Sequence, residues 1–256
     1  MDKNAIIYEK KDRVGIITLN HPSRGNRITA QMAAELKEVS QEFERGSGVN
    51  VIIITGSGNK FSIGTDEDAD LQFEDRESFV AHLGVASTVG LFVQPVIAAI
   101  NGDAFDQGLE LALACDLRLC AHDARFAMPQ ILRNEIPFDG GTQRLPRLVG
   151  RIKAMEMILH GEIIASGEAQ KIGLVNKVLE SDRLMPEALE MAKDLSSKGP
   201  MALRYAKEAV LKGMDLSLEQ GLRLEADLYF LLHTMNDRIE GITAFKEKRK
   251  PRFDGT

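Results

Sequence analysis

An acidic side chain stands in the first turn of a predicted helix, directly after a loop that contains glycine. The segment is NGDAFDQGLELA, residues 101–112, and the acidic residue is Glu110. The first N–H groups of a helix have no partner inside it and lie at the positive end of its dipole. A helix start of this kind, near Gly108, can bind an anion or stabilise an oxyanion that forms during a reaction. The other interpretation is an ordinary acidic residue that favours the helix dipole.

Two further segments combine glycine with polar residues. FSIGTD, residues 61–66, follows an apolar stretch, and residues 129–146 include Asp139 in a glycine-rich turn. General acid–base catalysis needs a carboxyl group within hydrogen-bond reach of the reacting atoms, and an apolar pocket raises the pKa of such a group. Asp139 is therefore either a catalytic partner of Glu110 or a cap of the turn that follows it, and we favour the catalytic interpretation.

The elements that must position these residues alternate between strands and helices. Runs of apolar and β-branched residues predict strands over 14–19, 51–55, 96–100 and 117–121. Helical spacing predicts a helix that Thr29 caps, helical character over 78–92, and a short helix over 108–115. A helix within 67–83 is expected to form a pocket wall. This alternation favours an α/β architecture in which crossovers connect the strands.

The chain becomes mainly helical after Gly150. Helices are predicted over 152–160, 167–172, 185–197, 201–212 and 217–233, with a strand signal over 175–178. Ser217 and Gln220 have the spacing of a capping box, and Gly173 closes the second helix. We expect this region to cover an edge of the core or a partner subunit.

Composition limits the possible classes of protein. The 256 residues are 44% hydrophobic, which suits one large domain, or one domain with a small appendage, that needs neither disulfides nor metals. A net charge of −6 gives no overall electrostatic case for nucleic acid. Cys115 and Cys120 lie in apolar stretches and are expected in the core, which points to a reducing compartment. With no signal segment and no apolar run long enough for a bilayer, the default expectation is a cytoplasmic protein without a membrane partner.

Four ordered motifs give the chain its resemblance to a known family. They are FSIGTD, NGDAFDQGLELALACDLRLC, IPFDGGTQRLPRLVG and EGITAFKEKRKPRF. Together they resemble the crotonase superfamily, the enoyl-CoA hydratase/isomerase family, over nearly the whole chain. The resemblance implies an α/β, ClpP-like spiral of ββα units in residues 1–195. It implies a C-terminal helical trimerisation region in residues 196–256, with homotrimers that commonly pair as hexamers.

The resemblance also implies a substrate and an oxyanion hole. Substrates would be acyl-CoA thioesters, with coenzyme A as part of the substrate and neither a metal nor a permanently bound cofactor. The backbone N–H groups of Thr65 and Gln107 match the family positions that bind the thioester oxygen and stabilise an enolate. The chain departs from the family at Asp106-Gln107-Gly108, where the usual form has three glycines. The second donor is thus expected in a reshaped hole, with extra side chains in the pocket.

The acid–base positions depart from the family as well. Glu110 matches the first of two family glutamates, whereas the second position holds Gln130, which cannot exchange a proton at neutral pH. Asp139 stands where simple hydratases have a small residue, and some isomerases and carbon–carbon hydrolases carry an aspartate there. Glu110 and Asp139 are accordingly the expected catalytic pair, with Gln130 beside them. Glu135 is expected to be a surface or structural residue.

Recognition of coenzyme A is expected at two places. By resemblance, Arg24 and the backbone near Ile63 and Asp66 line the nucleotide and pantetheine region. Tyr229 and Lys248 match family positions that reach the adenine nucleotide, often from a neighbouring subunit. The basic run that contains Lys248 is either a solvated tail or part of this anion site.

Three functions remain open from the sequence. The first is an acyl-CoA enzyme of the hydratase/isomerase type, in which an oxyanion hole stabilises an enolate and carboxylates move protons. The second is a carbon–carbon hydrolase of a β-diketone or oxo-acyl-CoA, which Gln130 and Asp139 suggest. The third is a catalytically silent CoA-binding relative, which the replaced glycines at Asp106 and Gln107 suggest.

Overall fold

The computed structural model describes residues 4–66 and 75–256. The strands are β1 (Ile6–Lys11), β2 (Val14–Leu19), β3 (Val51–Gly56), β4 (Lys60–Ser62), β5 (Val96–Ile100), β6 (Asp103–Phe105), β7 (Leu117–Ala121), β8 (Arg125–Ala127), β9 (Ile164–Ala165) and β10 (Lys177–Leu179). The helices are α1 (Ala30–Glu44), α2 (Arg76–Leu83), α3 (Val85–Val89), α4 (Gln107–Ala114), α5 (Gly141–Val149), α6 (Arg151–His160), α7 (Ser166–Lys171), α8 (Ser181–Ser196), α9 (Pro200–Gly213), α10 (Leu218–His233) and α11 (Asn236–Lys246).

The described strands form two sheets. The larger has the order β1-β2-β3-β5-β7-β10, with β1 antiparallel to β2 and every other pair parallel. The smaller has the order β4-β6-β8-β9, in which β4, β6 and β8 run parallel and β9 is antiparallel to β8. Each of β3, β5 and β7 leads directly into a strand of the smaller sheet, and helices follow. The predicted α/β spiral of ββα units is therefore confirmed.

Side-chain alternation gives the larger sheet two apolar faces. On β3, Ile52 and Ile54 belong to one buried cluster, while Val51 and Ile53 belong to the other. Helix α8 covers the second cluster with buried leucine and alanine side chains. Strands that are covered on both faces read as continuous apolar runs, which explains the pattern VIIIT in the sequence.

The helices α9 to α11 bury few side chains of their own. Among their residues only Leu228 and Ala244 are buried within the chain. The Nζ atom of Lys207 on α9 donates to Asp116 Oδ2 at 2.7 Å, and Arg13 Nη1 donates to the carbonyl of Phe253 at 2.7 Å. Much of their apolar surface faces outward, which leaves this region available for a partner.

Most predicted elements are confirmed, one is divided, and one lies partly outside the described residues. The predicted helical stretch 78–92 is two helices, because the chain breaks at Gly84, which has φ −73° and ψ 87°. Residues 67–74 of the helix predicted within 67–83 lie outside the described residues. Strands β1, β4, β6, β8 and β9 and helices α5 and α11 were not predicted. The described helices include none that is both long and apolar enough to cross a membrane.

Candidate active site

Three neighbouring parallel strands of the smaller sheet lead to the candidate residues. Thr65 follows β4, Gln107 opens α4 directly after β6, and Gln130 lies in a 3-10 turn after β8. The carboxyl ends of parallel neighbouring strands lie at the same edge of a sheet. Residues that are far apart in sequence are thereby brought to one place.

Helix α4 is buried almost completely, and its residues other than Gln107 and Glu110 are apolar or glycine. All of its residues from Gln107 to Leu113 are buried, so Glu110 is held inside the protein rather than at its surface. Gly108 permits this close packing, because a Cβ there would lie 2.3 Å from the carbonyl oxygen of Ser62 on β4. The helix start is thus pressed against the end of β4.

The carboxyl group of Glu110 has one satisfied oxygen and one unsatisfied oxygen. Its Oε1 accepts hydrogen bonds from the backbone N–H groups of Asp139 at 2.8 Å and Gly141 at 2.7 Å. Its Oε2 is buried and has no partner within the described residues. Burial raises the pKa of Glu110 to about 8, and the nearby carboxylate of Asp139 adds to this rise. Glu110 therefore carries a proton at neutral pH.

Gln130 presents a second buried oxygen without a partner. Its Nε2 contacts the sulfur of Met128 at 3.9 Å, and its Oε1 has no hydrogen bond within the described residues. A Cβ added at Gly141 would lie 3.1 Å from both Met128 Cε and Glu110 Oε1, so these groups share one region. Buried polar atoms without partners are costly and require an explanation such as a bound ligand or water. The oxygens of Glu110 and Gln130 are therefore candidate contacts for a polar ligand.

Asp139 makes different contacts from those of a free catalytic carboxylate. Its Oδ2 accepts from the N–H of Ala86 at 2.7 Å, and its Oδ1 accepts from the N–H of Ser87 at 2.9 Å. The side-chain amide of Gln107 lies 3.3 Å from Oδ2. The carboxylate thus caps the start of α3, and its backbone N–H supports Glu110. These contacts favour Glu110 over Asp139 as the group that transfers a proton.

The Thr65 arm of the predicted oxyanion hole has an available donor. Gly64 before it has φ +110°, which turns the chain in a way that glycine allows readily. The backbone hydrogen bonds around it are made by neighbouring residues, and the Thr65 N–H has no acceptor within the described residues. The Thr65 hydroxyl donates to Gln107 Oε1 at 3.0 Å, so the two predicted arms are in contact through their side chains.

The Gln107 arm has an occupied donor. The N–H of Gln107 donates to Oδ1 of Asp106 at 2.7 Å. The other carboxylate oxygen of Asp106 forms an ion pair with Arg133, which also pairs with Glu135 at 3.0 Å. Burial raises the pKa of Asp106, and the Arg133 guanidinium opposes this rise. Sequence reasoning had placed extra side chains in the pocket but had not identified this ion pair.

Asp106 also has an unusual backbone conformation. Its φ of 55° and ψ of −131° lie in a region that side-chain-bearing residues rarely adopt. Residues held in such regions cost about 1–3 kcal/mol each and persist only where the surroundings enforce them. The glycine of the family pattern would adopt this conformation without that cost. The replacement of this glycine by Asp106 was therefore the only feature of the sequence that pointed to an unusual backbone conformation here.

Three of the residues expected at coenzyme A lie together, whereas two lie elsewhere. Arg24 Nη2 donates to Asp66 Oδ1 at 2.8 Å, and a Cβ added at Gly25 would lie 2.7 Å from the side chain of Ile63. Tyr229 is on α10, where its ring packs edge-on against His233 at 4.7 Å, and Lys248 follows α11.

The described residues contain no cluster of His, Cys, Asp and Glu side chains that could hold a metal ion. Both cysteines are free thiols in the core, and burial raises the pKa of each to about 12. Neither thiol has the lowered pKa of a reactive cysteine.

The ββα spiral and the buried glutamate at a helix start define a protein of the crotonase type. The sequence profile of the family Enoyl-CoA hydratase/isomerase matches residues 9–256. The chain therefore belongs to the enoyl-CoA hydratase/isomerase family, a family of enzymes.

Similar proteins cover almost the whole chain. A crotonyl-CoA hydratase of Syntrophomonas wolfei is 37% identical over 97% of this chain and 97% of its own length. A mitochondrial enoyl-CoA hydratase of Pongo abelii is 39% identical over 97% of this chain and 87% of its own length. The crystal structure of an enoyl-CoA hydratase from Bacillus anthracis is 36% identical, covers 98% of this chain and 100% of its own, and superposes with a TM-score of 0.92.

Proposed function

We propose that this protein transfers a proton to or from an acyl-CoA thioester, as an enoyl-CoA hydratase/isomerase in which Glu110 is the proton-transfer group. The observation that carries the proposal is the carboxyl group of Glu110, with one buried oxygen that has no partner and a pKa raised to about 8. A general acid works best when its pKa lies near the operating pH. Family membership and the named relatives supply the substrate class.

The geometry supports a simple sequence of events at the thioester. The available N–H of Thr65 would donate to the thioester oxygen, and a second donor would be Gln107 once its N–H is released from Asp106. Charge that develops on this oxygen as an enolate forms would be stabilised there. In hydration, the ionised fraction of Glu110 would accept a proton from water as the water oxygen bonds to the β-carbon, and the electron pair of the double bond would move to the thioester oxygen. The protonated Glu110 would then deliver that proton to the α-carbon of the enolate.

Gln130 has a supporting role in this proposal. Its unpartnered Oε1 can accept a hydrogen bond from a water molecule or from a substrate group, but the amide cannot exchange a proton at neutral pH. One carboxyl group near the reacting carbons is sufficient to move a proton between two positions of an acyl chain. Hydration also requires activation of water, and Glu110 is the group available for that step.

Asp139 acts in this proposal by positioning other groups. Its carboxylate holds the start of α3, and its N–H and its negative charge both act on Glu110. The sequence-based pairing of Glu110 with Asp139 is kept as a functional unit, with proton transfer assigned to Glu110.

Coenzyme A is proposed to bind as part of the substrate, with no cofactor bound permanently. Arg24, which Asp66 holds in place, would face its phosphates near Ile63. Tyr229 and Lys248 would reach the nucleotide of a neighbouring subunit, since they lie in the C-terminal helices.

We further propose a homotrimer, or a pair of trimers, in which residues 196–256 contact the partner subunits and residues 1–195 carry the site. The support is the large apolar surface that α9 to α11 leave exposed. The free thiols of Cys115 and Cys120 are compatible with the reducing cytoplasm, the proposed location.

The test is turnover of enoyl-CoA thioesters by the wild type, Glu110→Gln and the surface control Glu9→Gln. Hydration of crotonyl-CoA is followed by loss of the absorbance of its conjugated enoyl thioester. Isomerisation of a 3-enoyl thioester is followed by the appearance of the same absorbance. We expect Glu110→Gln to lose about 10²- to 10⁴-fold in kcat, because a general acid is removed, while Glu9→Gln keeps wild-type activity. If Glu110→Gln turns over these thioesters as fast as the wild type, the proposed role of Glu110 is contradicted. Cleavage of a β-diketone thioester without enoyl turnover would favour a carbon–carbon hydrolase, and acyl-CoA binding without turnover a silent relative.

A further inference from the structure

The carboxylate of Asp106 lies between the two arms of the oxyanion hole. Its Oδ1 accepts the N–H of Gln107 at 2.7 Å. A Cβ added at Gly64, the residue before Thr65, would lie 2.5 Å from the Cβ of Asp106 and 2.9 Å from its Oδ2. The side chain thus extends from the Gln107 arm across to the Thr65 arm. An oxygen of this protein occupies the donor that a thioester oxygen needs.

This hydrogen bond is not that of an ordinary helix cap. A capping side chain accepts from the second or third N–H of its helix, as Thr29 does from Met32 at 3.1 Å. Asp106 instead accepts from the first N–H of α4, which belongs to the next residue in sequence. It also adopts a positive φ that glycine would adopt more easily. Ordinary stabilisation of α4 therefore accounts for neither feature.

Arg133 holds the carboxylate in this position and gives it a route outward. Its guanidinium pairs with Oδ2 of Asp106 and with Glu135, and its side chain is 47% exposed. Asp106 itself is only 4% exposed. The ion pair therefore links the buried carboxylate to the protein surface, which is the direction in which we expect the Asp106 side chain to move when it is displaced.

We propose that Asp106 is an internal occupant of the oxyanion hole, which an acyl thioester must displace from Gln107 before it can bind with both donors. The inference rests on the proposed acyl-CoA function. The Asp106 carboxylate oxygen and the thioester oxygen compete for the N–H of Gln107, so Asp106 weakens thioester binding. Substrates whose other contacts do not offset the free energy of displacing Asp106 are disfavoured. Asp106 is thus a specificity-determining residue, and Arg133 sets how firmly it is held.

The test measures thioester affinity in variants that remove the occupant stepwise. In a Glu110→Gln background, which slows turnover, binding of the saturated thioester butyryl-CoA, which has no double bond to hydrate, is measured by calorimetry for Asp106, Asp106→Asn and Asp106→Gly. We expect Asp106→Gly to bind about tenfold tighter or more, and Asp106→Asn to be intermediate, because its amide oxygen still reaches the N–H but is uncharged. The matched control is Asp12→Gly, since Asp12 also has a positive φ, of 57°, but lies in the β1–β2 turn. Thermal unfolding confirms that each variant is folded.

A second experiment measures how sodium acetate changes turnover of crotonyl-CoA. It uses the wild type and the Asp106 variants that retain Glu110. If the emptied hole accepts a carboxylate, millimolar acetate inhibits Asp106→Gly competitively and has little effect on the wild type. If Asp106 instead transfers protons, Asp106→Gly and Asp106→Asn both lose activity, and acetate restores it. That result, or affinity in Asp106→Gly no higher than in Asp106, overturns the proposal. Absence of acyl-CoA binding in all proteins overturns the proposed function itself, and the inference with it.

Discussion

At the scale of single residues, the site depends on a glutamic acid that is uncharged at neutral pH. Glu110 is fully buried, and the two N–H groups that contact it satisfy only one of its oxygens. The cost of removing a negative charge from water exceeds what these two bonds return, so the pKa rises. Such a group lowers the stability of the folded protein above its unperturbed pKa, and the proton transfer that we propose for Glu110 would account for its retention.

This cost gives a pH dependence of stability. The pKa of Glu110 is 4.5 when unperturbed and about 8 in the folded protein, so folding takes up a proton between these two pH values. The stability that this proton uptake gives the folded protein is fully present below pH 4.5, and it is lost as the pH rises through 8. We therefore expect Glu110→Gln, which has no charge to bury, to gain stability relative to the wild type across this range, by up to about 5 kcal/mol. Urea unfolding at pH 5, 6.5 and 8.5 measures the difference.

The surface variant Glu9→Gln serves as the control in these unfolding experiments. Its stability difference from the wild type should stay flat from pH 5 to 8.5, because Glu9 is exposed and pays no burial cost. A constant difference between Glu110→Gln and the wild type over the same range would show that Glu110 is ionised in the folded protein.

The sequence could predict these residues but not how Asp106 is arranged. Glu110 and Gln130 were identified because they match two positions of the family motifs. The bond from Asp106 to Gln107 depends on a single side-chain rotamer and on a positive φ that follow from packing against Gly64 and Arg133. Local sequence carries no direct signal for such a choice.

At the scale of elements, the short helix α3 is attached to the site by one side chain. Asp139 accepts from the first N–H groups of α3, which would otherwise lie buried without partners. We expect Asp139→Ala to lower the free energy of unfolding by about 1–3 kcal/mol, since it leaves two donors unsatisfied. Asp139→Asn should recover only part of this loss, because its amide has one acceptor oxygen for the two N–H groups. Thermal or urea unfolding measures both.

Kinetics of the same variants separate the positioning role from proton transfer. A positioning role predicts that Asp139→Asn keeps more turnover than Asp139→Ala, because its amide oxygen retains one of the two contacts with α3. It also predicts a lower pKa for Glu110 in Asp139→Asn, because a nearby negative charge is removed. The alkaline limb of the pH–rate profile should move to lower pH. Equal loss of turnover in the two variants, with stability unchanged, would return Asp139 to the catalytic pair.

Regular elements were easier to predict than their interruptions. Strands β2, β5 and β7 match their predicted bounds, since continuous apolar runs have few alternatives. The break at Gly84 was missed because residues 78–92 satisfy a helical period on both sides of it. Strand β1 was missed because it is half exposed and carries charged residues, which hide its alternation.

At the scale of the whole molecule, apolar surface is concentrated on the C-terminal helices. Large apolar side chains that are more than half exposed on α9 to α11 are Val210, Leu211, Leu218, Leu222, Tyr229, Phe230, Ile239 and Phe245. Exposed single apolar residues are normal, whereas a group of this size is typical of interfaces, and it is the surface that we propose as the subunit contact. The same helices bury little within the chain, so their stability depends on what covers them.

This surface predicts an oligomer whose loss can be measured. Light scattering after size exclusion should give a mass of three or six chains for the wild type. We expect the double variant Phe230→Asp and Phe245→Asp to give smaller species and a lower melting temperature, since these rings are 70% and 86% exposed in the single chain and two charges would be buried at a contact. Leu91→Asp, at an 80% exposed side chain after α3, is the matched control and should keep the wild-type mass. A wild-type monomer would show that α9 to α11 are stable without a partner, and loss of the oligomer in Leu91→Asp alone would place the interface on the core.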